Sequence, residues 1–112
     1  MVDLAPLEHD CWKMLVSAPV RKSDGFKTLT VATVTPSGRP EARTVVLRQA
    51  NEGDRIICFH TDRRAAKFAQ LQQNPALTLL FWDSKRQIQL RLTANAQLHT
   101  DDPVADEHWQ KL

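Results

Sequence analysis

The sequence contains no apolar run approaching the roughly 18 residues needed to span a bilayer. Met1 to Val20 carries Asp3, Glu8, His9 and Asp10 where a secretory signal would have a basic region and then a long apolar one. No membrane partner is expected, and the default location is cytoplasmic. The three glycines, at positions 25, 38 and 53, build neither a Gly-rich dinucleotide loop nor a P-loop. The two cysteines, Cys11 and Cys58, are isolated and read as buried thiols rather than a disulfide. No CxxC or HExxH pattern occurs, and His9, His60, His99 and His108 are scattered, so no metal site is expected. A net charge of +2 does not suggest a nucleic-acid partner. Ser17, Ser23, Ser37 and Ser84 have no local His or Asp pattern, which leaves nucleophilic catalysis without support.

With 42% hydrophobic and 25% charged residues over 112 positions, the chain has the composition and size of one soluble globular domain. Leu4, Leu7, Cys11, Met14 and Leu15 recur at helical spacing, with Pro6 suited to a first turn and Pro19 beyond the end. This predicts an amphipathic helix over about 5–17, then a mostly polar loop to Lys27. Thr28 to Val34, rich in β-branched residues, reads as a strand. Pro36 to Pro40 is turn chemistry with Gly38 able to take positive φ, and Thr44 to Arg48 reads as the hairpin partner. A turn at Asn51 to Asp54 leads to a third strand, Arg55 to Thr61. Asp62 is an N-cap candidate for a helix ended by Asn74-Pro75. Ala76 to Trp82 and Gln87 to His99 complete five strands, and Asp101 or Asp102 with Pro103 opens a final helix. Short antiparallel strands with little covering helix point to a closed or nearly closed barrel, because closure removes exposed edges.

The strongest local cluster is Thr61-Asp-Arg-Arg-Ala-Ala-Lys67. A strand runs there into a helix start, whose unpaired N–H groups favour an anion. Arg63, Arg64 and Lys67 are cations where the helix dipole disfavours them, which suggests a negative group nearby, such as a phosphate. The alternative is a solvated basic face paired with Asp62. Arg43-Thr-Val-Val-Leu-Arg48 is the second candidate: its two arginines have opposite parity and so lie on opposite faces of a regular strand. One can reach a phosphate while the other serves a second site; two solvated strand-end arginines are the alternative. His60 adjoins the cluster, as a packing residue or a reactive one. Trp82, Phe59 and Phe81 are conceivable stacking platforms for single-stranded nucleic acid, but Trp82 and Phe81 sit in an apolar strand where core packing is the better expectation.

Taken in order, Arg43-Thr-Val-Val-Leu-Arg48, Phe59-His-Thr-Asp62, Arg64 to Lys67, Asn74-Pro75, Leu79-Leu-Phe-Trp82 and Arg86-Gln87 resemble the pyridoxamine 5′-phosphate oxidase-like, FMN-binding split-barrel family. The likeness extends over roughly 25–100 and includes the shorter bacterial and cyanobacterial oxidase-related FMN-binding proteins. It implies a mainly β (α+β) fold, an antiparallel split β-barrel with flanking helices, and FMN as cofactor. It implies that Arg43, Thr44, Val45, Val46 and Leu47 line the flavin, with backbone groups on the isoalloxazine edge and Arg43 near the phosphate. His60 and Thr61 would lie on the ribityl–phosphate side, Arg64 and Lys67 on the phosphate, and Gln87 on the flavin of a partner subunit in a homodimer. Arg48 matches a position that touches a phosphorylated small-molecule substrate in the oxidases.

Two departures stand out. Ala65 replaces a serine common between the arginine and lysine of the phosphate cluster, and the chain stops at Trp109 to Leu112, before the family's further strands and Arg-rich end. The expectation is therefore an FMN-binding flavoprotein related to these oxidoreductases, in a single domain over 1–112 that is either a piece of a longer protein or a short relative. Little oxidase activity on pyridoxine 5′-phosphate is expected of it. A non-catalytic flavin module, or a barrel without flavin, is the alternative.

Overall fold

The structure, a computed structural model, describes residues 5–60 and 74–97. Helix α1 spans Ala5–Ser17, as its periodicity predicts. Its buried face differs from the expected one. Trp12 and Leu15 enter the core, Cys11 and Met14 are half-buried, and Leu7 is 60% exposed. The C-terminal half of the helix therefore does the covering, and Trp12 replaces Leu7 in the apolar stripe. The segment read as a polar loop forms two 3-10 turns, Ala18–Val20 and Gly25–Lys27. The second buries Phe26 completely, in an edge-to-face contact with Phe81 at 5.7 Å between ring centroids. Burying each of these rings is worth about 1.5–3 kcal/mol.

Five antiparallel strands follow: β1 (Thr28–Val34), β2 (Pro40–Asn51), β3 (Ile56–Phe59), β4 (Ala76–Asp83) and β5 (Ile88–Asn95). Their order in the sheet is β3-β2-β1-β4-β5. The β1–β2 hairpin closes over Thr35 and Gly38. Gly38 has φ +89° and donates its N–H to the Thr35 carbonyl at 2.9 Å. Because that turn is tight, β2 begins at Pro40, earlier than the β-branched run alone suggests. Leu29, Val31, Leu47, Leu77, Leu79 and Phe81 alternate along their strands and pack on one face with Trp12, Leu15 and Phe26. Among the described residues β3 and β5 are sheet edges. The barrel is thus an open half-barrel there, with α1 and the 3-10 turns packed on its apolar face.

Both cysteines are free and half-buried. Burial, aided by Asp10 and Glu8, pushes the Cys11 thiol up, which disfavours the reactive thiolate. No described helix is long and apolar enough to cross a membrane. Strand β5 ends at Asn95, so Ala96 and Gln97 do not continue the expected fifth strand. The expected helix after Asp62, positions 98–99 of the expected fifth strand and the final helix lie outside the described residues.

Candidate functional site

Strand β2 splits the run Arg43–Arg48 between two environments. Arg43 pairs with Val31 and Val45 with Leu29, so their side chains share the packed face with Leu47, which is buried. Thr44 and Val46 pair with Thr30 and Thr28 and project to the opposite, exposed face. Arg48 is exposed at a β-bulge between Leu47 and Gln49. The two arginines therefore occupy opposite faces, as their parity predicts. Arg43 has Glu41 at 4.0 Å, a loose ion pair between partly exposed side chains.

The backbone of β2 is asymmetric. β1 covers Pro40 to Val46, while β3 joins from the other side only from Leu47 onward. Among the described residues, no strand covers the edge over 42–46 that faces away from β1. Alternate residues there direct an N–H and a C=O outward. His60, half-buried, follows Phe59, the partner of Leu47, and so flanks the Val46 end of this edge. Thr61, Arg64 and Lys67 lie outside the described residues; the chain enters their segment directly from His60.

On the exposed face, Thr28, Leu29, Thr30, Thr44, Leu80 and Trp82 line a depression of about 200 Å³. Trp82 is 48% exposed, which corrects the expectation that it packs in the core. Strand alternation is the reason: Leu77, Leu79 and Phe81 take the buried positions of β4 and leave Leu80 and Trp82 on the other side. That same alternation is the signal by which Trp82, Thr28 and Thr30 could have been placed beside Thr44 from sequence.

Gln87 ends the β4–β5 turn in a left-handed conformation, φ +56°, and its Nε2 donates to the Ser84 carbonyl at 2.6 Å. Strands β1 and β4 lie between it and β2, so one chain does not bring Gln87 to the Arg43–Leu47 run. The residue before it is held firmly. Arg86 Nε donates to Asp83 Oδ2 at 2.5 Å, and Nη2 donates to Asp24 Oδ1 at 2.8 Å. Burial of Asp83 works to raise its pKa. The hydrogen bond from Arg86, the backbone N–H groups of Lys85 and Arg86, and the Arg86 charge outweigh that and hold the carboxyl below the usual carboxylate range. Among the described residues, no group of His, Cys, Asp and Glu could hold a metal ion.

The profile of the family described as pyridoxamine 5′-phosphate oxidase, FMN-binding domain, matches residues 9–100. The chain belongs to this family. A pyridoxine/pyridoxamine 5′-phosphate oxidase from Gloeothece citriformis is 36% identical over 86 residues, which cover 73% of this chain and 39% of that one. An oxidase of the same description from Bacteroides thetaiotaomicron is 38% identical over 85 residues, covering 74% of this chain and 38% of that one. The chain thus spans less than two-fifths of the length of either relative. The crystal structure of a pyridoxamine 5′-phosphate oxidase-related, FMN binding protein from Nostoc punctiforme superposes with a TM-score of 0.73 at 27% identity, over 100% of this chain and 59% of that one. These comparisons bear out the family resemblance and the split-barrel fold.

The residues present fit the cofactor of an FMN-binding domain family. The outward edge of β2 offers alternating donors and acceptors, which suits the pyrimidine edge of an isoalloxazine ring. Arg43, at the other end of that edge, is a cation whose counter-ion among the described residues, Glu41, is loose at 4.0 Å.

Proposed function

We propose that this domain binds FMN along the outward edge of β2 and acts as a flavoprotein oxidoreductase related to pyridoxamine 5′-phosphate oxidase. The observation that carries the reading is the backbone edge over 42–46, with Arg43 at one end and His60 at the other. In this assignment backbone groups of Arg43 to Leu47 hold the flavin edge, and Arg43, Arg64 and Lys67 hold the phosphate. His60 and Thr61 lie toward the ribityl chain. Leu47 contributes its backbone only, since its side chain belongs to the core. Bound flavin would supply hydride and electron transfer; the protein would bind it, orient it and shield it from water. Arg48, on the opposite face from Arg43, would meet an anionic, phosphorylated small-molecule substrate.

The working form is proposed to be a cytoplasmic homodimer. Its support is the distance of Gln87 from β2 within one chain, together with the exposure of Val34, Val46 and Trp82. A carrier or sensor role is the second reading. It is favoured by the depression beside Thr44, whose lining residues include no titratable one.

The deciding experiment titrates FMN and riboflavin into flavin-free protein. Tighter binding of FMN is expected, because only FMN carries the phosphate; equal affinity would remove the phosphate site from the proposal. Bleaching of the bound flavin by phosphorylated amines or alcohols under anaerobic conditions separates the oxidoreductase from the carrier.

A further inference from the structure

We propose that Arg86 is the positioning residue for Gln87, setting the backbone from which the Gln87 side chain reaches the flavin of a partner subunit; this rests on the flavin-binding and homodimer readings above. The β4–β5 turn is short, and Gln87 leaves it with φ +56°, a conformation disfavoured for any residue with a Cβ. Such backbone persists only where its surroundings over-determine it; here Asp83 holds the backbone N–H groups of Lys85 and Arg86, and the Arg86 side chain anchors Asp83 in turn. Asp83 Oδ1 accepts from the Lys85 N–H at 3.0 Å and Oδ2 accepts from Arg86 Nε, so one buried carboxylate grips both the turn's backbone and its arginine. The other prong of the guanidinium reaches Asp24, 62 residues earlier in the chain. Asp24 is itself fixed, because its Oδ1 also accepts from the Phe26 N–H at 2.9 Å. The guanidinium carbon lies 4.8 Å from the centroid of the buried Phe26 ring.

Arg86 thus ties the turn to the core through two carboxylates and an aromatic ring, and Gln87 follows it directly. The side chain of Gln87 is exposed, and its Nε2 is already engaged by Ser84 within the turn. Its presentation therefore depends on the turn's shape rather than on packing around the glutamine. A lysine at position 86 would keep the charge and lose the planar fork that addresses both carboxylates at once. The turn would then relax toward negative φ at Gln87 and turn that side chain away from where it now stands.

The test is a double-mutant cycle on FMN affinity in the full chain, with wild type, Arg86→Lys, Gln87→Ala and the double variant. Thermal unfolding is recorded for each. Gln87→Ala is expected to weaken FMN about fivefold, the worth of one neutral hydrogen bond. Arg86→Lys should weaken it by a similar factor, and the double variant should be no worse than the weaker single. That coupling is what a merely structural arginine would not produce. Effects that multiply, to roughly 25-fold in the double variant, would show that Arg86 acts independently of Gln87 and overturn the proposal. Unchanged affinity in either single variant would overturn it as well. If Arg86→Lys does not fold, Asp24→Asn takes its place in the cycle, since it weakens one prong and leaves the Asp83 contact. Wild-type protein that fails to bind FMN would bring down the flavin reading and this inference together; wild-type binding with an indifferent Arg86→Lys brings down the inference alone.

Discussion

Gly25 lies so close to Asp83 that a Cβ on it would stand 2.8 Å from the Asp83 Cα and 2.9 Å from the Trp82 carbonyl oxygen. Both neighbours are backbone atoms of β4, so neither can swing aside as a side-chain tip would. Gly25→Ala must push the 3-10 turn off the strand, and with it Asp24 and the fully buried Phe26. The expected cost is about 1–3 kcal/mol, as for other overpacked sites, read from the urea midpoint. A shift below about 0.5 kcal/mol, the range of an ordinary surface substitution, would mean that the turn moves freely.

Asp83 should shape the acid limb of stability. Its carboxyl titrates below the ordinary value of 3.8 in the folded protein, chiefly through Arg86 and the turn's N–H groups. Below that value the unfolded chain takes up a proton that the folded chain still refuses, so stability falls as pH falls through the folded pKa. The contribution is fully present above about pH 4. Asp83→Asn should lower stability at neutral pH, where the ionised contact to Arg86 is lost, and flatten the decline below pH 4. Parallel pH profiles for wild type and variant would show that another carboxylate carries the acid limb.

Much of this fold was legible because it follows local rules. Strand β1 matches its β-branched run residue for residue, and α1 its apolar spacing. What sequence reading missed depends on contacts between distant segments. Phe26 sits in a stretch that is polar on both sides, and the approach of distant segments, Phe81 of β4 among them, makes it core. The Arg86–Asp24 contact joins residues 62 apart, and no local pattern announces such a pair. Trp82 departs from its expected place for a different reason. The run Leu79 to Trp82 is apolar throughout, so composition hides the alternation that sends Leu79 and Phe81 inward and Trp82 outward. In the candidate site, the opposite faces of Arg43 and Arg48 were legible from parity. The edge of β2 that no described strand covers was not, since it depends on where β3 begins to pair.

Arg43 and Arg48 should separate in function as they do in space. If Arg43 holds the FMN phosphate as proposed, Arg43→Ala would remove a charge-assisted contact and should weaken binding by about 1.5–3 kcal/mol. Lys67→Ala should do the same. Arg48→Ala should leave FMN affinity within about twofold, since neutral surface changes stay near 0.5 kcal/mol, while raising the concentration of any phosphorylated substrate needed for flavin reduction. Arg43 is partly exposed and its ion pair to Glu41 is long, so its loss should leave the unfolding temperature nearly unchanged. Isothermal titration of the three variants with FMN checks this. Equal losses from Arg43→Ala and Arg48→Ala would show that the two faces of β2 do not serve separate sites.

The adjacent pair Phe81 and Trp82 offers the sharpest test of the proposed dimer. Phe81 is fully buried beneath the sheet and Trp82 is 48% exposed above it. Phe81→Ala should cost about 3–5 kcal/mol of stability as a cavity in the core. Trp82→Glu creates no cavity in the isolated chain, so on stability grounds alone it should be mild. Its expected effect is on assembly. Trp82, Val46 (43% exposed) and Val34 (44%) belong to the outward face of neighbouring strands β4, β2 and β1. A second copy laid on that face would bury the indole, and a carboxylate placed there would enter the interface without a partner, a penalty of several kcal/mol. Light scattering should therefore find wild type as a dimer and Trp82→Glu as a monomer. FMN affinity should fall with it, because Gln87 would no longer reach a flavin across the interface. The circular dichroism of the monomer should keep its β-sheet character. A Trp82→Glu protein that remains dimeric with full FMN affinity would place the dimer contact elsewhere on the molecule.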